Sequence, residues 1–135
     1  MRDPQKLVVS QHAMAIAVAV YRLTYAFPTH ERFGLTAQMR RAAVSVGSNI
    51  AEGCGRGGER DFLRFLYLAR GSATELAFQL ALAIELDFGA AGDRALIAHD
   101  IDHLQRMLNR FTSALRRKLS EGRNLGETRA SASFS

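Results

Sequence analysis

The sequence contains no tryptophan, only two prolines and a single cysteine among its 135 residues. One cysteine cannot close an internal disulfide, which excludes a small secreted scaffold held by cross-links. Scarce proline and scarce runs of β-branched residues argue against a sandwich or barrel, since those folds need frequent turns and many strand-forming segments. No basic region followed by an apolar core and a small-residue cleavage site opens the chain, so a cytoplasmic protein is expected. The most apolar stretch, Ala13 to Val20, is far shorter than the roughly 20 residues that cross a bilayer. Arg22 follows it closely, and no membrane partner is expected.

The length suits one domain with one hydrophobic core, closed without disulfides or metals. Acidic residues are scarce in one place only. Between Gln105 and Arg123 lie Arg106, Arg110, Arg116, Arg117, Lys118 and Arg123 against Glu121 alone, and the other twelve basic and twelve acidic residues cancel. The whole net charge of +5 therefore belongs to one segment. Basic excess on a single element is the electrostatic footprint of a polyanion such as RNA or DNA. The plainer explanation is solubility, in a chain that uses Arg for all but two of its cations.

Apolar residues recur with helical spacing throughout. Asp3-Pro4 marks a helix start, with a capping carboxylate and a proline where the missing N–H costs nothing. Val9, Ala13, Ile16, Val20, Leu23 and Phe27 form a core stripe beyond it, and Leu7, Met14, Val18, Tyr21 and Tyr25 form a second stripe alongside. A helix apolar on both faces must be covered on more than one side. Pro28 ends this helix. Thr36 is the expected cap of a second helix running to about Arg56, with Leu35, Met39, Ala42, Val46 and Ile50 inward and small residues beside them. Four glycines between Gly53 and Gly58 break it. A third helix from Glu59 to about Asp87 carries the seam Phe62, Leu66, Ala69, Ala73, Leu76, Leu80 and Ala83. Asp93 is the expected cap of a fourth, with Ile97, Ile101, Leu104, Leu108, Phe111 and Leu115 inward. Short connections force neighbouring helices to run antiparallel, which predicts an all-α, up-down-up-down four-helix bundle over residues 1–121. Residues 122–135, rich in Ser, Gly and Arg, are expected to form a disordered basic tail.

Three segments carry a family resemblance. The connection Phe27-Pro28-Thr29-His30-Glu31-Arg32-Phe33-Gly34, the run Ser45-Val46-Gly47-Ser48-Asn49-Ile50-Ala51-Glu52-Gly53 and the run Ala69-Arg70-Gly71-Ser72-Ala73-Thr74-Glu75-Leu76 occur in order and at matching spacing. Together they resemble the bacterial four helix bundle family that includes the 23S rRNA intervening-sequence proteins, to which the accessory protein of diversity-generating retroelements is also similar. The resemblance implies a bundle that assembles into a ring-like homopentamer. In the retroelement branch it also implies a basic surface that engages nucleic acid and a protein partner, a reverse transcriptase. Many relatives have no established activity, and since the residues assemble no catalytic site, neither an enzyme nor a cofactor is expected.

Candidate functional residues fall into two sets. Arg41, Ser45, Ser48, Asn49 and Glu52 lie on one polar strip of the second helix, and Arg64, Ser72, Glu75 and Gln79 lie on a matching strip of the third, with Ser72 and Glu75 the ones expected to meet the second. Such strips either hold a ligand through Asn49 and Glu52 or form a hydrogen-bonded network that fixes the register of the bundle. The second is preferred, because polar groups beside small residues must be paired when buried. Arg106, Arg110, Arg116, Arg117 and Lys118 are the candidate nucleic-acid contacts. No aromatic residues are interleaved with them to stack on bases, so affinity without sequence readout is expected. His99 and His103 have the i,i+4 spacing of a shared metal but no third ligand, and no metal site is expected. The glycine run lacks both a preceding strand and a following Lys-Ser/Thr, and Cys54 has no paired histidine, so neither a phosphate loop nor a thiol nucleophile is indicated.

Overall fold

The computed structural model describes residues 3–133, and for residues 124, 125 and 127–133 the backbone alone. Four helices follow one another: α1 (Pro4–Tyr25), α2 (Leu35–Gly55), α3 (Glu59–Glu85) and α4 (Ala91–Ser133), with one turn of 3-10 helix at Thr29–Glu31. No strand occurs among the described residues. Each helix packs on its neighbours in sequence and α4 closes back on α1, with α2 and α3 sharing the most extensive interface. This is the antiparallel four-helix bundle that the periodicity predicts.

The predicted seams are the core. Val9, Ala13, Ile16, Val20, Leu23 and Phe27 are all buried, as are all seven seam positions of α3. In α4 only Phe111 is less than fully buried; it meets Phe62 edge-on at 5.3 Å between ring centres. At the opposite end Phe27 and Phe88 pair at 5.5 Å, so an aromatic contact closes each end of the core. Two buried threonines tie the hairpins together. Thr24 donates to the Val20 carbonyl and accepts from Arg40 Nε at 2.8 Å, which links α1 to α2. Thr112 does the same from α4, donating to the Leu108 carbonyl and accepting from Arg70 of α3 at 3.1 Å.

Helix ends follow the sequence less closely than helix faces do. Asp3 caps α1 as expected, accepting from the Gln5 amide at 2.9 Å. Thr36 does not cap α2; it lies within the helix and is buried. The cap is Glu31, which reaches back from the 3-10 turn to accept from the Leu35 amide at 2.9 Å. Gly34 makes room for it, since a Cβ there would stand 2.6 Å from Glu31 Oε2. Asp93 lies inside the first turn of α4, which begins at Ala91. Arg94, one residue on and almost fully buried, donates to the Ala83 and Ile84 carbonyls and to Asp87, and so satisfies the end of α3.

The backbone of α4 stays helical to Ser133 where composition suggests a disordered tail from residue 122, and at 43 residues α4 is about 65 Å long, against about 40 Å for α3. Among the described side chains its last buried core residue is Leu115 and its last partly buried one packed against the core is Leu119. Residues 134 and 135 lie outside the described residues. By length and composition α1 is sufficient to cross a membrane, with 22 residues and a mean hydropathy of 1.3 over its most apolar window, a third of which is buried. That hydropathy comes from two apolar stripes, one inside the bundle and one facing outward.

The close approach of α2 and α3 generates a test. A Cβ on Gly53 would stand 2.8 Å from Phe65 Cβ and 3.0 Å from a Phe62 ring carbon, whereas one on Gly71 would meet nothing within 4 Å. Gly53→Ala is expected to cost about 1–3 kcal/mol through overpacking. Gly71→Ala is expected to gain about 0.5–1 kcal/mol through helix propensity. Urea unfolding of the two variants against the parent measures both, and equal shifts in the same direction would refute the close-packing account.

Candidate functional site

The polar strips of α2 and α3 meet, though not all of their members take part. Ser45 and Ser72 share a hydrogen bond at 2.8 Å across the two helices. Asn49 donates to the Ser45 carbonyl at 2.9 Å and to its hydroxyl at 3.1 Å, extending the contact along α2. Arg41 forms an ion pair with Glu75 and also donates to Gln38, while Gln79 donates to Glu75 from one turn further along α3. Two sets of contacts therefore lie along the α2–α3 seam, Ser45 with Ser72 and Asn49 in one and Arg41 with Glu75 and Gln79 in the other. Gln79, expected on the α3 strip, is buried between Leu76 and Leu80 of the same seam. Ser48 and Glu52 stand apart from both. Ser48 is exposed, and Glu52 is exposed and pairs with Arg56 on its own helix at 2.9 Å. Asn49 and Glu52 consequently do not converge on a ligand.

The five candidate cations of α4, Arg106, Arg110, Arg116, Arg117 and Lys118, are all exposed, and they divide into two groups. At 100° per residue Arg106, Arg110 and Arg117 fall within an arc of about 40° along roughly 16 Å of helix. Arg116 and Lys118 turn toward α3, where Arg116 donates to the Tyr67 hydroxyl at 3.4 Å and Lys118 pairs with Glu59 at 2.7 Å. The Glu59 hydrogen bond and its charge raise the Lys118 pKa, so this pair is present at neutral pH and is lost as pH rises beyond the ordinary lysine range. Arg106 pairs with Asp102 one turn away at 3.0 Å. Acidic partners thus temper the stripe at two of its five positions. Arg110 lines a cleft of about 540 Å³ between the start of α1 and α4, with Val8, Val9, Met107 and Phe111 as its apolar wall.

Tertiary structure adds a cation that linear charge counting overlooks. Arg70 of α3, half-buried against Thr112, shares a polar cleft with Thr74, Asp102, Gln105, Arg106 and Asn109. The signal available in sequence was the pairing of an arginine on one helix with a threonine in the seam of the next. The histidines of α4 do not act as a pair. His103 turns across the α1–α4 seam to His12, with ring centres 5.1 Å apart, and not toward His99 on its own helix. No cluster of three or more His, Cys, Asp or Glu able to hold a metal occurs among the described residues.

Four amphipathic helices packed around one apolar core, with exposed cations on α4, define an all-α helical bundle. Comparison with known proteins then assigns the family. The sequence matches the 23S rRNA-intervening sequence protein family over residues 5–110, and the chain belongs to that family. It is similar to a solved structure from Bacteroides thetaiotaomicron, described as a protein of unknown function from the S23 ribosomal protein family. The two share 22% identity with a TM-score of 0.71, covering 81% of this chain and 98% of that one, a likeness of fold. No curated protein matches.

Cys54 offers a direct check on the inert reading of the thiol. Burial pushes its pKa above the ordinary thiol value, with the Lys6 ammonium opposing the shift. The thiolate fraction at neutral pH is therefore lower than that of a free cysteine, and alkylation by iodoacetamide at pH 7.5 is expected to be slower than for a free thiol and to accelerate as pH rises past the ordinary thiol range. A rate at pH 7.5 faster than that of glutathione would reveal an activated nucleophile.

Proposed function

We propose that this protein is a non-enzymatic, cytoplasmic homo-oligomer that binds nucleic acid through the basic face of α4. The observation that carries the reading is the stripe of Arg106, Arg110 and Arg117, exposed on one side of a long helix and flanked by Arg116 and Lys118. Guanidinium groups on a rigid rod neutralise successive phosphates and release counterions, which gives affinity without base readout. The family's name ties it to the 23S rRNA, and a structured RNA is accordingly the first polyanion to try. Arg70 beside Arg106 extends the stripe toward α3.

Assembly is supported by the outward stripe of α1. Leu7, Met14, Val18, Tyr21 and Tyr25 are each at least 40% exposed, Met14 reaching 67% and Tyr25 88%. A contiguous apolar face of that kind marks an interaction surface. A ring of copies, a pentamer by resemblance to the family, would cover it and would repeat the basic stripe around an axis, multiplying weak phosphate contacts. The second reading is a protein-interaction scaffold without nucleic acid. It is favoured by the ion pairs that Asp102 and Glu59 make with Arg106 and Lys118, which leave fewer cations free.

Filter binding to structured RNA and duplex DNA at low salt distinguishes these readings. The triple variant Arg106→Glu, Arg110→Glu, Arg117→Glu is expected to abolish binding while light scattering reports an unchanged assembly. Restoring the residues singly should steepen the salt dependence by about one phosphate's worth per arginine. Parent protein that binds no tighter than a neutral helical bundle would leave the scaffold reading in place. Met14→Glu with Val18→Glu is expected to yield monomers, and an unchanged molecular mass would remove the α1 face from the interface.

A further inference from the structure

The geometry points to a zinc-class metal site made by His12 of α1 and His103 of α4. Three of the chain's four histidines, His12, His99 and His103, belong to these two helices. His12 is half-buried and His103 exposed, and their rings lie 5.1 Å apart with planes inclined at 59°. A metal at about 2.1 Å from an imidazole nitrogen lies about 3.2 Å from the ring centre, so two such rings at a tetrahedral angle have centres about 5.2 Å apart. The observed separation, which also lies within the ordinary range of ring contacts, accommodates a shared tetrahedral ion.

The surroundings favour a cation that accepts nitrogen ligands and retains water. His103 also lines the open cleft of about 540 Å³ at the start of α1, so solvent reaches the pair. Since no three ligating side chains converge among the described residues, the two imidazoles supply two positions and water the others. Zinc suits this arrangement because it has no geometric preference of its own and binds neutral imidazole readily. The ion would staple α1 to α4. That seam is the least extensively packed of the bundle's four helix pairs. The proposal is independent of any nucleic-acid role.

Full-length protein stripped with EDTA and titrated with zinc chloride tests it, by calorimetry and by ¹⁵N shifts of the imidazole nitrogens. One zinc is expected to bind per chain, moving the His12 and His103 signals and raising the midpoint of thermal unfolding, because a ligand held only by the native state stabilises it. His12→Ala and His103→Ala are each expected to weaken binding by about tenfold or more, whereas His30→Ala leaves it unchanged. Both ring positions are at least partly exposed, so the variants are expected to fold, which circular dichroism checks. Absence of heat on titration would overturn the proposal. Binding that survives His12→Ala but not His99→Ala would overturn it too, by placing the ion on the i,i+4 pair of α4.

Discussion

The close approach of α2 to α3 is the constraint on which the rest of the bundle depends. Ala42, Ala43 and Gly53 on one helix and Ala69, Ala73 and Ala83 on the other are fully buried, and the absence of bulk at these positions lets the axes come together. Only at that separation can two short serine side chains hydrogen-bond directly, as Ser45 and Ser72 do at 2.8 Å. A glycine in a helix interior costs about 1 kcal/mol relative to alanine. At Gly53 the steric return explains the choice, since Phe62 and Phe65 occupy the space a side chain would need. Gly47 plays a milder part toward α1, where a Cβ would touch Ala13 in ordinary contact.

Polar groups complete what small residues begin. Each hairpin carries a buried threonine that bonds to its own helix and accepts an arginine from the next, Thr24 from Arg40 and Thr112 from Arg70. A buried hydroxyl with both capacities used costs little, whereas the same group left unpaired would cost about 1–3 kcal/mol. These contacts sit at defined heights along the bundle, so sliding one helix past another would break them. They specify register, while the aliphatic seams supply the driving force. Arg94 applies the same economy at the end of α3, where it serves two carbonyls and Asp87.

What the core does not use is left on the surface in two separate places. The second apolar stripe of α1 faces outward, and the excess positive charge follows α4. Burying the first and repeating the second are compatible in a single assembly, because the stripes lie on different helices. The helical backbone of α4 continues about 27 Å past Leu115.

Faces were legible in the sequence and, beyond the Asp3 cap of α1, ends were less so. Periodicity named nearly every core residue, because burial selects apolar side chains at 3.6-residue spacing whatever the neighbouring helix is. The motifs around Asn49 and Glu75 identified the family for the same local reason. Capping escaped it: Thr36 has the right chemistry for a cap, yet Glu31 does the work because the 3-10 turn brings its carboxylate to the Leu35 amide and Gly34 leaves the room. The polar strips were legible as strips, but which members meet was decided by the crossing of α2 and α3, which admits Ser45, Asn49, Ser72 and Glu75 and leaves Ser48 and Glu52 outside. Charge counting placed the cations on α4 without their partners, since Asp102, Glu59 and Tyr67 come near only by helix turn or by packing. The sequence by itself determined the four helices, their inward faces and the family. Tertiary structure alone decided the partners across each seam, including the meeting of His12 with His103, because residues 91 positions apart become neighbours only when α4 closes back on α1.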